Sequence, residues 1–217
     1  MKVITSDGSH TLFVPALNEH YHSVNGAINE SLHVFINAGL KFLKPTNLNI
    51  LEIGFGTGLN ALLSFVESGF SGKNIFYHCY EPFPLSKDVY ETLNYPELIK
   101  HPQALEVFIK LHASGWDTVI EINDNFHFQK FNDKIESAIL PDNNYHLVYF
   151  DAFAPKIQPE LWTEPIFSKI HKAMRAGGVL VTYSAMGMVR RNMINAGFTV
   201  ERLSGAAGKR EMLRALK

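Results

Sequence analysis

This sequence predicts a doubly wound α/β fold built on a mostly parallel sheet, and three observations carry that reading. Residues 48–53 form a largely apolar run that breaks into Gly54, Gly56 and Gly58, then resumes at Leu59 as an apolar helical pattern through Val66. A strand, a glycine turn and a helix in that order make a nucleotide-binding crossover. A second apolar run, 75–80, ends at Glu81. That acid falls roughly 20 residues past the glycine turn, where such folds place a carboxylate on ribose hydroxyls. A third run, 145–150, ends at Asp151. The carboxyl ends of parallel strands line the ligand crevice of an open sheet.

Composition narrows the class. The 217 residues are 46% apolar and 19% charged, which suits one soluble domain with a full core. A short N-terminal arm and helix are expected over 1–45, packed on a main domain over 46–217. No stretch is long and apolar enough to span a bilayer, and the N-terminus has no apolar signal core, so a cytoplasmic enzyme is expected. The single Cys79 excludes an internal disulfide. A net charge of −1 conceals an asymmetry: residues 169–217 hold ten Lys/Arg against two Glu, a charge of +8, which leaves −9 for the rest. The basic segment suggests a polyanion partner; a solvated basic face is the plainer alternative.

Taken in order, Asp7-Gly8-Ser9 is a turn signal before the run 11–14, which predicts a short hairpin. Glu19-His20-Tyr21-His22-Ser23 is dense in hydrogen-bonding side chains, but no third ligand accompanies the two histidines and no metal is expected. Ile28, Leu32, Phe35, Ile36 and Leu40 recur at helical spacing over 26–40, closed by Gly39 and Lys44-Pro45. Glu30 falls off that stripe and matters only if the helix covers a ligand pocket. Glu52, at the end of the first strand, would repel a pyrophosphate and attract a cation. The spacing is G-x-G-x-G, with Leu59 where a dinucleotide fingerprint has its third glycine, and no P-loop lysine follows.

Residues 85–113 read as helix with breaks near Pro96 and Pro102, and 119–128 as a local hairpin turning at Asn123-Asp124-Asn125. Asn132-Asp133 precedes a predicted helix over 134–140, with Asp133 a candidate N-cap. A helix over 162–176 ends at Gly177-Gly178, followed by a buried strand over 179–184, a short helix over 188–196 carrying Arg190 and Arg191, and two closing strands around a glycine-rich basic loop. Arg190, Arg191, Lys209 and Arg210 are the candidate phosphate contacts.

Glu52-x-Gly54-x-Gly56-x-Gly58 resembles the first motif of the S-adenosylmethionine (AdoMet)-dependent Rossmann-like methyltransferases. That resemblance implies a mostly parallel seven-stranded sheet with an antiparallel last strand, and an acid near the methionine end of AdoMet. It also implies cofactor roles for Phe55, Thr57, Asn60, Pro82, Asn132 and Asp133 beside the glycines, Glu52, Glu81 and Asp151. The loop Asp151-Ala152-Phe153-Ala154-Pro155 resembles the amine-holding loop of amino-group methyltransferases, which makes Asp151 the catalytic candidate and Phe153 and Pro155 substrate contacts. With Gly54-Phe55-Gly56-Thr57-Gly58-Leu59-Asn60, Glu81-Pro82-Phe83-Pro84-Leu85, Val189-Arg190-Arg191 and Gly208-Lys209-Arg210-Glu211-Met212, the chain resembles the methyltransferase domain of the bifunctional tRNA 5-methylaminomethyl-2-thiouridine biosynthesis (MnmC) family. Residues 21–35, including Tyr21 and Glu30, match that family more loosely.

The family resemblance implies N-methylation of the aminomethyl group of 5-aminomethyl-2-thiouridine at the tRNA wobble position. It implies AdoMet as cofactor, tRNA as partner and no metal. No FAD-dependent oxidase motif follows Lys217, so a stand-alone methyltransferase without FAD is expected, its amine supplied by other enzymes. Two alternatives stand beside it: an N-methyltransferase of a protein or small amine, and an AdoMet-binding RNA-binding module without transfer activity.

Overall fold

The computed structural model describes residues 1–217. Three short strands, β1 (Lys2–Ile4), β2 (His10–Val14) and β3 (Glu19–His20), form a small antiparallel sheet. Helix α1 follows, opening over Ala27–Ser31 and widening into a π-helical stretch, Leu32–Leu40. Gly39 lies in the last turn of this helix, which ends at Leu40. A Cβ there would come 3.0 Å from Val181 and 3.3 Å from Leu147, so the missing side chain lets α1 press onto the central sheet.

The central strands are β4 (Asn47–Ile53), β5 (Asn74–Tyr80), β6 (Ile120–Asn123), β7 (Phe126–Phe131), β8 (Tyr145–Phe150), β9 (Met174–Thr182), β10 (Thr199–Ser204) and β11 (Glu211–Leu216). Their order is β10-β11-β9-β8-β4-β5-β7-β6. The five inner strands β9, β8, β4, β5 and β7 pair in parallel, and β11 enters antiparallel between β9 and β10. The sheet has eight strands, one more than expected. The hairpin expected over 119–128 forms as β6 and β7 but belongs to the central sheet: β7, buried at alternate residues, is the third parallel strand on its side, and β6 adds an antiparallel edge.

Helices α2 (Leu59–Ser71), α3 (Lys87–Tyr90), α4 (Tyr95–Ile99), α5 (Ala104–Ala113), α6 (Glu164–Ala173) and α7 (Gly187–Asn195) cover the faces. Because both faces are covered, the inner strands are apolar on both sides, and β8 buries five of its six residues. One core layer holds 32 residues, among them Phe35, Tyr77, Tyr149 and Phe128, and the other holds 23 around Phe150, Trp162 and Phe167. Removing a fully buried ring such as Trp162 costs about 3–5 kcal/mol.

Two expectations over 130–180 differ from the fold. The helix expected over 134–140 does not form. Asp133 Oδ1 accepts from Lys134 N at 2.7 Å and from Ser137 Oγ at 3.0 Å, closing a turn that buries Ile135, Ala138 and Leu140 before Pro141. Gly177-Gly178 does not end a helix; α6 stops at Ala173 and β9 begins at Met174. Gly177 takes φ +77° within β9, where the register with β8 shifts, so the glycines make a bulge. No helix is long and apolar enough to cross a membrane.

Candidate active site

Three strand ends meet in register at the point where the chain order of the sheet reverses. Ile53 faces Tyr80 on one side and Phe150 on the other, so Gly54, Glu81 and Asp151 leave β4, β5 and β8 side by side. Backbone bonds continue the ladder one step further: Gly54 N donates to Tyr80 O at 3.1 Å, and Asp151 N donates to Ile53 O at 3.0 Å. This is the position where open α/β sheets bind ligands.

The glycine loop is constrained at each of its three glycines. Gly54 has φ +89°, and a Cβ on it would lie 2.7 Å from the Asp151 carbonyl oxygen. Gly56 has φ +50°, with the Tyr21 ring 3.1 Å from its would-be Cβ, so it lies against the N-terminal segment. Gly58, at φ +72°, packs against His112 away from the cavity and leads into α2. Phe55 is buried between His112 and Phe128, at 5.0 and 5.7 Å between ring centroids, and one edge lines the cavity. Thr57 Oγ1 bonds the His22 ring at 2.7 Å, tying the segment after β3 to the loop. Burial holds His22 down to about 4, so its imidazole is neutral near pH 7.

Glu81 accepts from Gly56 N through Oε2 and from Phe83 N through Oε1, each at 2.8 Å. Burial raises its pKa, and the two backbone donors oppose that. Pro82 and Phe83 form the cavity lip beside it, while Asn132 donates to the Glu81 carbonyl at 2.9 Å from behind the wall. Asp133 reaches the wall although its carboxylate also closes the turn described above.

Glu52 stands apart from its expected place. It is fully buried and lies behind Asn60 instead of on the cavity wall. Asn60, in the first turn of α2, uses one amide to bridge two acids, donating to Glu52 Oε1 at 3.0 Å and to Asp151 Oδ2 at 2.8 Å. Burial pushes Glu52 well above the carboxylate range, and neighbouring Asp151 adds to it. Glu52 thus holds the Asn60 side chain from behind and reaches the cavity only through it. Asp151 itself opens on the cavity. Burial first, then the Glu30 carboxylate, push its pKa up to about 7, against the Asn60 bond and Lys209.

The opposite wall comes from distant segments. Tyr21 meets Phe153 edge to face, 5.1 Å between centroids. Gln158 Oε1 accepts from Phe153 N at 3.1 Å, and Trp162 Nε1 donates to Phe153 O at 2.8 Å, so the loop after Asp151 is fixed from below. Pro155 is buried under this loop and does not line the cavity. Glu30 is buried too, accepting from Ser23 N at 3.0 Å and from Lys209 Nζ at 2.5 Å. Tyr183, which sequence reasoning passed over, donates to the Ala152 carbonyl at 2.8 Å and lies under Lys209. His22, Ser23 and Gln158 were also missed as site residues; the density of polar groups in 19–23 was the only signal for the first two, and Gln158 had none.

These elements enclose a cavity of about 490 Å³ lined by seven carboxylates and only two lysines, Lys134 and Lys209. Its interior therefore favours cationic groups. The expected phosphate contacts part company here. Lys209 is inside the cavity, whereas Arg190, Arg191 and Arg210 lie outside it. Of the ten cations in 169–217, seven are engaged within the fold. Lys169 caps carbonyls of the 135–138 turn, Lys172 pairs with Asp142, Arg202 with Glu211, and Arg214 with Glu201. Lys209 pairs with Glu30, and Arg175 and Lys217 bond backbone and Asn143 oxygens. Only the three arginines outside the cavity carry no such side-chain partner.

A family model described as S-adenosyl-L-methionine-dependent methyltransferase matches residues 105–217. The chain belongs to that family. The methyltransferase is 29% identical over 208 residues to the tRNA 5-methylaminomethyl-2-thiouridine biosynthesis bifunctional protein MnmC of Pseudomonas entomophila, covering 90% of this chain and 32% of that protein. It is 31% identical to the MnmC of Ectopseudomonas mendocina, covering 89% and 31%. The chain thus spans about a third of the length of these curated relatives. Among solved structures, MnmC2 from Aquifex aeolicus superposes with a TM-score of 0.77 at 25% identity, over 99% of this chain and 69% of that one.

The residues present fit the family's cofactor. Gly54 and Gly56, with no Cβ on the cavity wall, the buried Glu81 carboxylate beside them and the unpartnered Asn60 Oδ1 suit a ligand carrying both hydroxyls and positive charge.

Proposed function

We propose that this methyltransferase moves a methyl group from AdoMet to the aminomethyl nitrogen on C5 of a thiolated wobble uridine in tRNA. The observation that carries this reading is Asp151. It is a carboxylate at the cavity wall, poised near neutrality, on a loop held rigid by Gln158, Trp162 and Tyr183. The MnmC relatives, which are tRNA 5-methylaminomethyl-2-thiouridine biosynthesis proteins, support the same substrate class.

When bound, AdoMet supplies an electrophilic methyl on a sulfonium, so the chain needs little acid–base chemistry beyond preparing the amine. Glu81 offers two carboxylate oxygens to ribose hydroxyls, and Gly54 and Gly56 let the backbone approach. Asn60 would hold the methionine end while fixing the Asp151 rotamer. An aliphatic amine arrives as an ammonium, and the Asp151 carboxylate accepts its proton or hydrogen bond, leaving the nitrogen lone pair free. Tyr21 and Phe153 exclude water from that point, and alignment supplies most of the rate. Arg190, Arg191 and Arg210, free of partners within the chain, are the residues left to hold phosphates.

A small-amine substrate is the second reading, favoured by the acidic cavity and by the seven engaged cations. Incubation with labelled AdoMet and tRNA bearing 5-aminomethyl-2-thiouridine, followed by nucleoside mass analysis, separates the two. A methylated wobble nucleoside supports the tRNA reading; label on free amines alone replaces it with the second.

A further inference from the structure

Lys209 sits in an unexpected place for a lysine on an exposed basic loop. Its ammonium points into the acidic cavity, 2.5 Å from Glu30 Oε1 and 4.0 Å above the centroid of the Tyr183 ring. Neither partner is free to move. Glu30 is buried on α1, and its second oxygen is held by Ser23 N. The Tyr183 hydroxyl donates to the Ala152 carbonyl, which fixes the ring next to the Asp151 loop. A carboxylate on one side and an aromatic face on the other is an arrangement that selects ammonium groups, through a charge-assisted hydrogen bond and a cation–π contact. With seven carboxylates on its wall against two lysines, the cavity draws in a further cation.

We propose that Glu30, Asp151 and the face of Tyr183 form a subsite for the substrate's alkylammonium group, and that Lys209 fills it as a resident ammonium until substrate displaces it. This rests on the amine reading above. Lys209 suits the task because its four-carbon stem can swing away while the loop between β10 and β11 stays in place. The loop is steadied at Gly208 by close contact with the Asn25 side chain. The subsite accounts for a buried acid on α1 that cofactor binding does not use, and for a lysine turned away from the basic surface.

The proposal has a consequence opposite in sign to that of a phosphate contact. Removing a resident competitor tightens substrate binding, whereas removing a lysine that grips tRNA loosens it. In steady-state assays with amine-bearing tRNA and saturating AdoMet, Lys209→Met lowers KM about threefold to tenfold, because a competing occupant is gone. Glu30→Gln raises KM at least about tenfold, because a charge-assisted partner is lost. A higher KM for Lys209→Met overturns the proposal and returns Lys209 to the RNA surface.

Losing Lys209 leaves Glu30 buried and unpaired, so a second measurement guards against poor folding. Thermal unfolding of Lys209→Ala is followed with ethylammonium chloride against sodium chloride at equal ionic strength. Ethylammonium raises Tm of Lys209→Ala and leaves the Glu30→Gln/Lys209→Ala double variant unchanged; no selective rise overturns the subsite. This readout needs no turnover. A wild-type protein that fails to methylate amine-bearing tRNA therefore sinks the proposed function without touching the subsite result.

Discussion

The two walls of the cavity are built in opposite ways. The wall made by Gly54, Gly56, Asn60 and Glu81 comes from one strand–turn–helix and the neighbouring strand end, and backbone amides do much of its work. The wall facing it takes Tyr21 and Glu30 from the N-terminal segment, Phe153 and Asp151 from the loop after β8, Tyr183 from the end of β9, and Lys209 from the last hairpin. Side chains decide almost everything there. The difference teaches that the geometry of the glycine-side wall is set locally, whereas that of the facing wall depends on segments far apart in the chain being folded together.

The largest expected effect tests whether Asp151 belongs to the acceptor wall. Asp151→Ala lowers single-turnover methyl transfer by about 10³-fold, within the range of a lost acid–base group. AdoMet affinity by calorimetry changes no more than severalfold. Equal losses of both would assign Asp151 to the cofactor wall.

The next effect falls on the opposite side. Gly54→Ala forces a Cβ against the Asp151 carbonyl at φ +89°. Strain of about 2 kcal/mol is expected, which weakens AdoMet binding about tenfold or more and lowers Tm by several degrees. Unchanged AdoMet affinity would show that the loop is not a cradle.

Asn60 joins the walls, so its loss reads in pH. Asp151 must be ionised to take a proton; with its pKa at about 7, kcat/KM rises with pH through about 7. Because the Asn60 hydrogen bond lowers that pKa, Asn60→Ala moves the acid limb to higher pH. A limb that stays in place or moves down would remove Asp151 as the titrating group.

The smallest effect lies outside both walls. Arg190→Ala and Arg191→Ala each reduce the slope of log K for tRNA against log salt by about one, with severalfold weaker binding. An unchanged slope would place the RNA surface elsewhere.

Much of the glycine-side wall was legible in the residues because its geometry is local. Three alternating glycines after a strand require positive φ, and a carboxylate at the next strand end is set by the period of a crossover. The third parallel strand was legible only as a hairpin, because a six-residue alternating run does not reveal its partner. The 134–140 segment misled for a related reason: apolar residues at helical spacing were buried by a turn closed on Asp133. Glu52 was placed one layer too far forward, since strand period does not tell which acid meets the ligand and which backs its neighbour.

Net charge along the chain was also a poor guide to surface, because seven of ten cations are taken up by carbonyls and acids that sequence order keeps apart. By itself, then, the sequence determined the doubly wound sheet, the glycine cradle and the three strand ends that carry Gly54, Glu81 and Asp151. Only the tertiary structure decided that Glu30 and Lys209, 179 positions apart, meet over Tyr183 beside Asp151. A contact between a helix near the start and the last hairpin is fixed by how both pack on one sheet, and no local pattern encodes that packing.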